Sequence, residues 1–116
     1  MQLPSPVGTV LVVEDDPMVR AFAVELFHDL GWQTVDAYNA THALKALQAN
    51  ERIERLFIDV RMPGELNGLE LAREVSGLRP QMKIILTSGD SSGTDGFAFL
   101  PKPWNVRVLR ELLAAL

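Results

Sequence analysis

Cysteine is absent from this chain, and no apolar run approaches the roughly 18 residues that a membrane-spanning helix needs. Disulfides, thiolate metal sites and thiol nucleophiles are therefore excluded, and the composition suits a reducing cytoplasm. Positive charge is also scarce, since 11 Lys and Arg stand against 15 Asp and Glu, a formal net charge of −4. Direct nucleic-acid binding is not expected, because it requires clustered positive charge. Residues 1–6 lack the features of a secretory signal, so we expect a cytoplasmic protein without membrane contact.

The length of 116 residues, 47% of them hydrophobic, indicates one globular domain over residues 1–116, with 1–6 as a tail. Short segments rich in β-branched residues predict strands at 7–13, 33–37, 56–59, 83–87 and 98–100. Apolar stripes of helical period run over 19–30, 40–47, 68–75 and 109–116, and Gly31 is placed to end the first helix. This alternation predicts right-handed βαβ units and a three-layer α/β/α domain with a parallel sheet.

One interval breaks the alternation. Between Thr87 and Phe99 lie eleven residues, 88–98, which include the stretch SGDSSGTDG. That composition is typical of a loop, and the interval is too short for an ordinary helix with two connections. We therefore expect the fourth helix to be truncated or absent.

Chemistry-bearing residues follow the predicted strands, where ligand sites of open parallel sheets form. In chain order they are Glu14, Asp15, Asp16, Asp59, Thr87 and Lys102. Carboxylates brought together from separate strands repel each other, and a divalent cation would offset that repulsion. An all-oxygen set of this kind suits Mg²⁺, with Mn²⁺ as the other candidate.

Each of these residues also has a purely structural interpretation. Asp16 directly precedes Pro17, and Asp at the N-cap with Pro at the first helical position is a common helix start. Asp59 can be a polar strand end, Thr87 a β-branched strand residue, and Lys102 a solvated loop lysine. Their joint occurrence at successive strand ends favours a functional site.

Four stretches carry a recognisable pattern. They are VLVVEDDP at 10–17, RLFIDVRMPG at 55–64, KIILTSG at 83–89 and FLPKPW at 99–104. In this order they resemble the receiver domain of two-component response regulators, and the similarity covers the chain from about residue 7 to its end. The resemblance implies a flavodoxin-like, five-stranded parallel sheet of order 2-1-3-4-5.

The resemblance also assigns roles to the acidic residues. Asp59 would be the phosphoacceptor. Glu14 and Asp15 would form the metal-binding pair, with Asp15 as the direct ligand. Asp59 itself and the backbone carbonyl of Arg61 would complete the metal site, and Asp16 is a further candidate.

Beyond the acids, Thr87 would hydrogen-bond the phosphoryl group and Lys102 would pair with it, next to a cis bond to Pro103. Thr87 and Phe99 would form the conformational switch, with Phe99 in place of the Tyr often found there. Trp104 would either lie on a partner-binding face or be an ordinary, partly buried packing residue.

The function implied is Mg²⁺-dependent phosphoryl transfer from a phosphohistidine donor to Asp59, followed by autodephosphorylation. The domain would catalyse both steps on itself without being a conventional enzyme. Its partners would be a sensor histidine kinase or phosphotransfer protein and a downstream protein target. The sequence leaves open the pathway, the oligomeric state, and whether the domain stands alone or belongs to a hybrid kinase.

Three rival functions share part of the pattern. An Asp-nucleophile phosphohydrolase needs an acid two residues after the nucleophile, where this chain has Arg61. A flavodoxin-like cofactor binder needs a phosphate cradle after the first strand, where the acids at 14–16 would repel phosphate. A pseudo-receiver, which binds partners without phosphorylation, remains the alternative, although this chain retains the acceptor, the acidic pair and the lysine.

Overall fold

The computed structural model describes residues 7–90 and 94–116, so the predicted tail at 1–6 and part of the predicted loop, 91–93, lie outside the described residues. The strands are β1 (Thr9–Val13), β2 (Gln33–Ala37), β3 (Ile53–Asp59), β4 (Lys83–Ser88) and β5 (Ala98–Pro101). The helices are α1 (Pro17–Asp29), α2 (Ala40–Ala49), α3 (Gly68–Leu78) and α4 (Val106–Ala115).

The five strands form one parallel sheet of order β2-β1-β3-β4-β5, as the sequence predicts. Side chains of β1 alternate between two apolar clusters, one on each face. Val10 and Val12 pack with Phe27 of α1 and Leu109 of α4, while Leu11 and Val13 pack on the side of α2 and α3. The predicted three-layer domain is confirmed, and all strand carboxyl ends meet at one edge.

Every described helix begins with an Asp or Asn cap that accepts backbone N–H groups of the first turn. Asp16 accepts from Met18 and Val19 at 2.9 and 3.3 Å, and the other caps are Asn39, Asn67 and Asn105. Three of these helices follow a strand within a few residues. The caps therefore fix where the chain turns away from the strand-end edge.

The connection between β4 and β5 lacks a helix in its described residues, 89–90 and 94–97, in agreement with the predicted truncation. Two exposed ion pairs hold the loop against the rest of the domain: Arg61 pairs with Asp90, and Arg73 on α3 pairs with Asp95 at 2.5 Å. β5 is short, has four residues, and ends at Pro101 on the sheet edge.

Two predicted elements begin three residues too late: α4 begins at Val106 rather than at residue 109, and β3 begins at Ile53 rather than at residue 56. Glu54 and Arg55 break the apolar pattern there, but Arg55 lies over the Trp32 ring, with its guanidinium carbon 5.4 Å from the ring centroid. Within the described ranges, every helix is too short or too polar to cross a bilayer.

Candidate functional site

Glu14 is the first charged residue beyond β1, and it is buried. Its backbone N–H donates to Ala37 O at 3.0 Å, which extends the β1–β2 pairing to this residue. Its carboxylate accepts from Asp16 N at 3.1 Å and from Lys102 Nζ at 3.0 Å. Both carboxylate oxygens therefore have donors, as a buried acid requires.

Asp59 ends β3 and is also buried. Its Oδ1 accepts from the backbone N–H of Arg61 at 2.9 Å, and its Oδ2 accepts from Lys102 Nζ at 3.0 Å. Directly after it, Val60 N donates to Thr87 O at 2.9 Å, so the strand end is held against β4. Lys102 thus bridges two buried carboxylates from different strands.

The predicted acids divide into two groups. One carboxylate oxygen from each of Glu14, Asp15 and Asp59 lies within 4.8 Å of the others, and Asp15 is exposed at the rim. Asp16 lies outside this group, because its side chain caps α1. The three carboxylates lie together, and the one ammonium group beside them, that of Lys102, pairs with Glu14 and Asp59. An excess of negative charge remains, so the donor set fits a hard divalent cation.

The pKa of Glu14 is raised from an ordinary 4.5 to about 7. Burial is the main cause and the neighbouring Asp59 adds to it, while the hydrogen bonds from Asp16 N–H and Lys102 act in the opposite direction. Burial lowers the pKa of the Lys102 ammonium, but its contacts with Asp59 and Glu14 raise it more, so the net shift is upward. Lys102 stays charged at neutral pH, whereas Glu14 takes up a proton readily.

We expect metal-free protein to lose stability as the pH rises from 5 to 8. The folded state binds a proton at Glu14 more tightly than the unfolded state does, so unfolding releases that proton and becomes easier at high pH. Allowing for solvent at the open edge, the loss is about 1–2 kcal/mol. Urea midpoints in EDTA should show this slope for wild type and for Glu25→Gln, at an exposed position of α1. Glu14→Gln should reduce this dependence of the urea midpoint on pH. A slope in Glu14→Gln equal to that of wild type would show that Glu14 is not the group responsible.

Thr87 lies directly opposite Asp59 in the register of β3 and β4. It is buried, and its Oγ1 accepts a hydrogen bond from Trp104 Nε1 at 2.7 Å. The predicted switch residue Phe99 is half-buried and packs against the cluster on the α2 and α3 side. The bond between Lys102 and Pro103 is cis, as the resemblance implies.

Sequence reasoning missed three contributors to this edge. Trp104 contacts Thr87 through its indole N–H, a contact for which periodicity gives no signal. Arg20 on α1 donates to Glu14 O at 2.9 Å and pairs with Asp36 at 3.0 Å, so it holds the end of β1. Gly68 begins α3 and its N–H donates to Val60 O at 2.9 Å, which fixes the backbone after the acid.

The strand order and the helices on both faces define a flavodoxin-like α/β domain. Residues 10–114 match the family described as response regulator receiver domain. The receiver protein CpdR of Brucella abortus is 32% identical over 108 residues, which cover 86% of this chain and 88% of CpdR. The structure of response regulator TrrA from Thermotoga maritima, in complex with Mg²⁺-BeF, has a TM-score of 0.84 at 27% identity and covers 94% of this chain and 98% of TrrA.

The chain belongs to the response regulator receiver domain family of two-component systems. Members occur in regulators and in hybrid kinases. The autoinducer 1 sensor kinase/phosphatase LuxN of Vibrio campbellii is 30% identical over 97% of this chain, but the chain spans 14% of the length of LuxN.

Proposed function

We propose that Asp59 accepts a phosphoryl group from a phosphohistidine donor and that water later hydrolyses the acyl phosphate. The observation that carries this proposal is the position of Asp59, whose carboxylate lies 3.0 Å from the ammonium group of Lys102 and within 4.8 Å of carboxylate oxygens of Glu14 and Asp15. A carboxylate is a weak nucleophile, so the site must supply orientation and positive charge.

The chain's own residues provide the orientation. Arg61 N–H holds Oδ1 of Asp59 at 2.9 Å, and Lys102 holds Oδ2. In the transfer, a carboxylate oxygen of Asp59 forms a bond to phosphorus while the bond from phosphorus to the donor breaks. Lys102 would then pair with the phosphoryl oxygens, and the Thr87 hydroxyl would donate to one of them. Thr87 and Phe99 together would form the switch that changes the interaction surface.

Magnesium fits this site, with manganese as a substitute, and when bound it would neutralise charge on the transferring group. Asp15, Asp59 and the backbone carbonyl of Arg61 would hold it, and Glu14 would bind it directly or through water. Asp16 is not among these metal ligands, because its side chain accepts hydrogen bonds from two backbone N–H groups at the start of α1.

We further propose that residues 1–116 form one receiver domain that works in the cytoplasm. Its phosphodonor would be a sensor histidine kinase or a phosphotransfer protein, in keeping with relatives that include sensor kinases. Its output would be contact with a downstream protein target. The domain would catalyse its own phosphorylation and dephosphorylation.

The test is incubation with acetyl phosphate and Mg²⁺, followed by intact mass measurement. Wild type should gain one phosphoryl group and lose it over time. Asp59→Asn, which keeps the size of the side chain and removes the nucleophilic carboxylate, should gain none, and EDTA should abolish the adduct in wild type.

The matched control is Asp29→Asn, at an exposed carboxylate at the C-terminal end of α1, away from the strand-end edge, and it should be phosphorylated like wild type. An adduct that persists in Asp59→Asn would refute the acceptor assignment. A wild type that gains no phosphoryl group would refute the proposal and favour a pseudo-receiver that acts without phosphorylation.

A further inference from the structure

The hydroxyl of Thr87 has a defined partner. An indole N–H can only donate, so in the 2.7 Å contact Trp104 Nε1 is the donor and Thr87 Oγ1 the acceptor. A hydroxyl also carries one donor hydrogen, and among the described residues no acceptor for it is found. The bond from Trp104 therefore fixes the oxygen and leaves the O–H group available.

That O–H group lies next to the acceptor residue. Thr87 and Asp59 are paired in register on neighbouring parallel strands, so their side chains project from the same face. Thr87 is 1% exposed, so water does not compete strongly for its hydroxyl. Its remaining hydrogen is suited to donate to a group bound at Asp59.

The Trp104 ring is itself held on several sides. It stacks on Phe22 of α1 with ring centroids 5.8 Å apart, and it meets Phe57 of β3 edge to face at 5.4 Å. Lys102 Nζ lies 5.9 Å from its centroid. Phe57 lies two residues before Asp59, so both belong to one face of β3. These contacts fix the direction in which the indole N–H points.

We infer that Trp104 is a positioning residue, whose indole N–H holds the Thr87 hydroxyl so that its hydrogen is directed to the phosphoryl group on Asp59. This inference rests on the proposed phosphorylation of Asp59. It assigns to Trp104 a role in the reaction beyond packing or partner contact.

The kinetic test compares Trp104→Phe, Thr87→Val and the double variant in phosphorylation by acetyl phosphate with saturating Mg²⁺. Phe keeps an aromatic ring between Phe22 and Phe57 and removes the N–H. Each single variant should slow phosphorylation about three- to tenfold, the range expected for one hydrogen bond. The double variant should be no slower than the slower single variant, because both changes remove the same interaction.

A spectroscopic test separates the hydrogen bond from simple packing. The chain has two tryptophans, so ¹⁵N-labelled protein should give two indole signals, and Trp104→Phe identifies one of them. Thr87→Val should shift the Trp104 signal upfield and speed its exchange with solvent, while Thr87→Ser should preserve it. The Trp32 signal should not change.

Trp32→Phe, which changes the other tryptophan far from the strand-end edge, should phosphorylate at the wild-type rate. Wild-type phosphorylation combined with an unchanged rate in Trp104→Phe would overturn the inference alone. The inference would also be overturned if the rate reductions of the two single variants multiplied in the double variant. It would equally be overturned if the Trp104 indole signal were unchanged in Thr87→Val. A wild type that is not phosphorylated would instead refute the proposed function.

Discussion

Gly68→Ala should destabilise the domain by about 3 kcal/mol and slow phosphorylation of Asp59 by about tenfold or more. A methyl group on Gly68 would lie 2.0 Å from Asp59 O and 2.7 Å from Val60 Cα. Both are backbone atoms, so no side-chain rotation relieves the overlap. Either α3 or the end of β3 must move, and the end of β3 carries Asp59, the proposed phosphoacceptor. The gain in helix propensity, about 1 kcal/mol, is smaller than the cost of the overlap.

Gly77 on the same helix provides the matched control. A methyl group there meets no atom within 4 Å, and the position is exposed. Gly77→Ala should therefore stabilise the domain by about 0.5–1 kcal/mol and leave phosphorylation unchanged. Urea denaturation and the acetyl phosphate assay measure both effects. Equal stability of Gly68→Ala and Gly77→Ala would contradict the close contact between α3 and the end of β3.

Lys102→Met should destabilise metal-free protein by about 2–3 kcal/mol. Met keeps the length of the side chain but removes the charge, which leaves Glu14 and Asp59 buried without their shared ammonium partner. The cost is below that of a fully buried pair because the Lys102 side chain is 29% exposed. Phosphorylation should fall by about 100-fold, since the Lys102 ammonium group would no longer balance the negative charge of the phosphoryl oxygens.

Added Mg²⁺ should restore part of the stability of Lys102→Met, because a bound cation replaces some of the lost positive charge. Lys45→Met, at an exposed position of α2, should stay within about 0.5 kcal/mol of wild type with or without metal. Thermal denaturation with EDTA and with Mg²⁺ checks both variants. A metal-free Lys102→Met variant as stable as wild type would contradict the bridging role.

The grouping of Glu14, Asp15, Asp59 and Lys102 is predictable from the sequence because it depends on the parallel direction of the strands and on their order, which the resemblance to receiver domains implies. Once the alternation of elements indicates a parallel sheet, the strand ends meet at one edge whatever the details of packing. The sequence also indicates two possible roles for Asp16, metal ligand and helix N-cap. In the structure its side chain caps α1.

The contacts between those side chains could not be read from the pattern. Lys102 bridges two acids and Trp104 donates to Thr87. Both contacts depend on the path of the chain after β5 and on the rotamers of these two side chains. Gly68 reads in the sequence as one position of an apolar stripe. Its close approach to Asp59 O arises from the packing angle of α3, which local periodicity does not contain.

The short β5 strand has a consequence for behaviour in concentrated solution. Edge strands expose N–H and C=O groups that can pair with another molecule. β5 offers four residues, and the last of them, Pro101, has no N–H to donate. β2, at the opposite edge, carries the exposed polar side chains of Gln33 and Asp36. We therefore expect little edge-to-edge pairing, because β5 offers a second molecule few hydrogen bonds and pairing at β2 would have to accommodate exposed polar side chains.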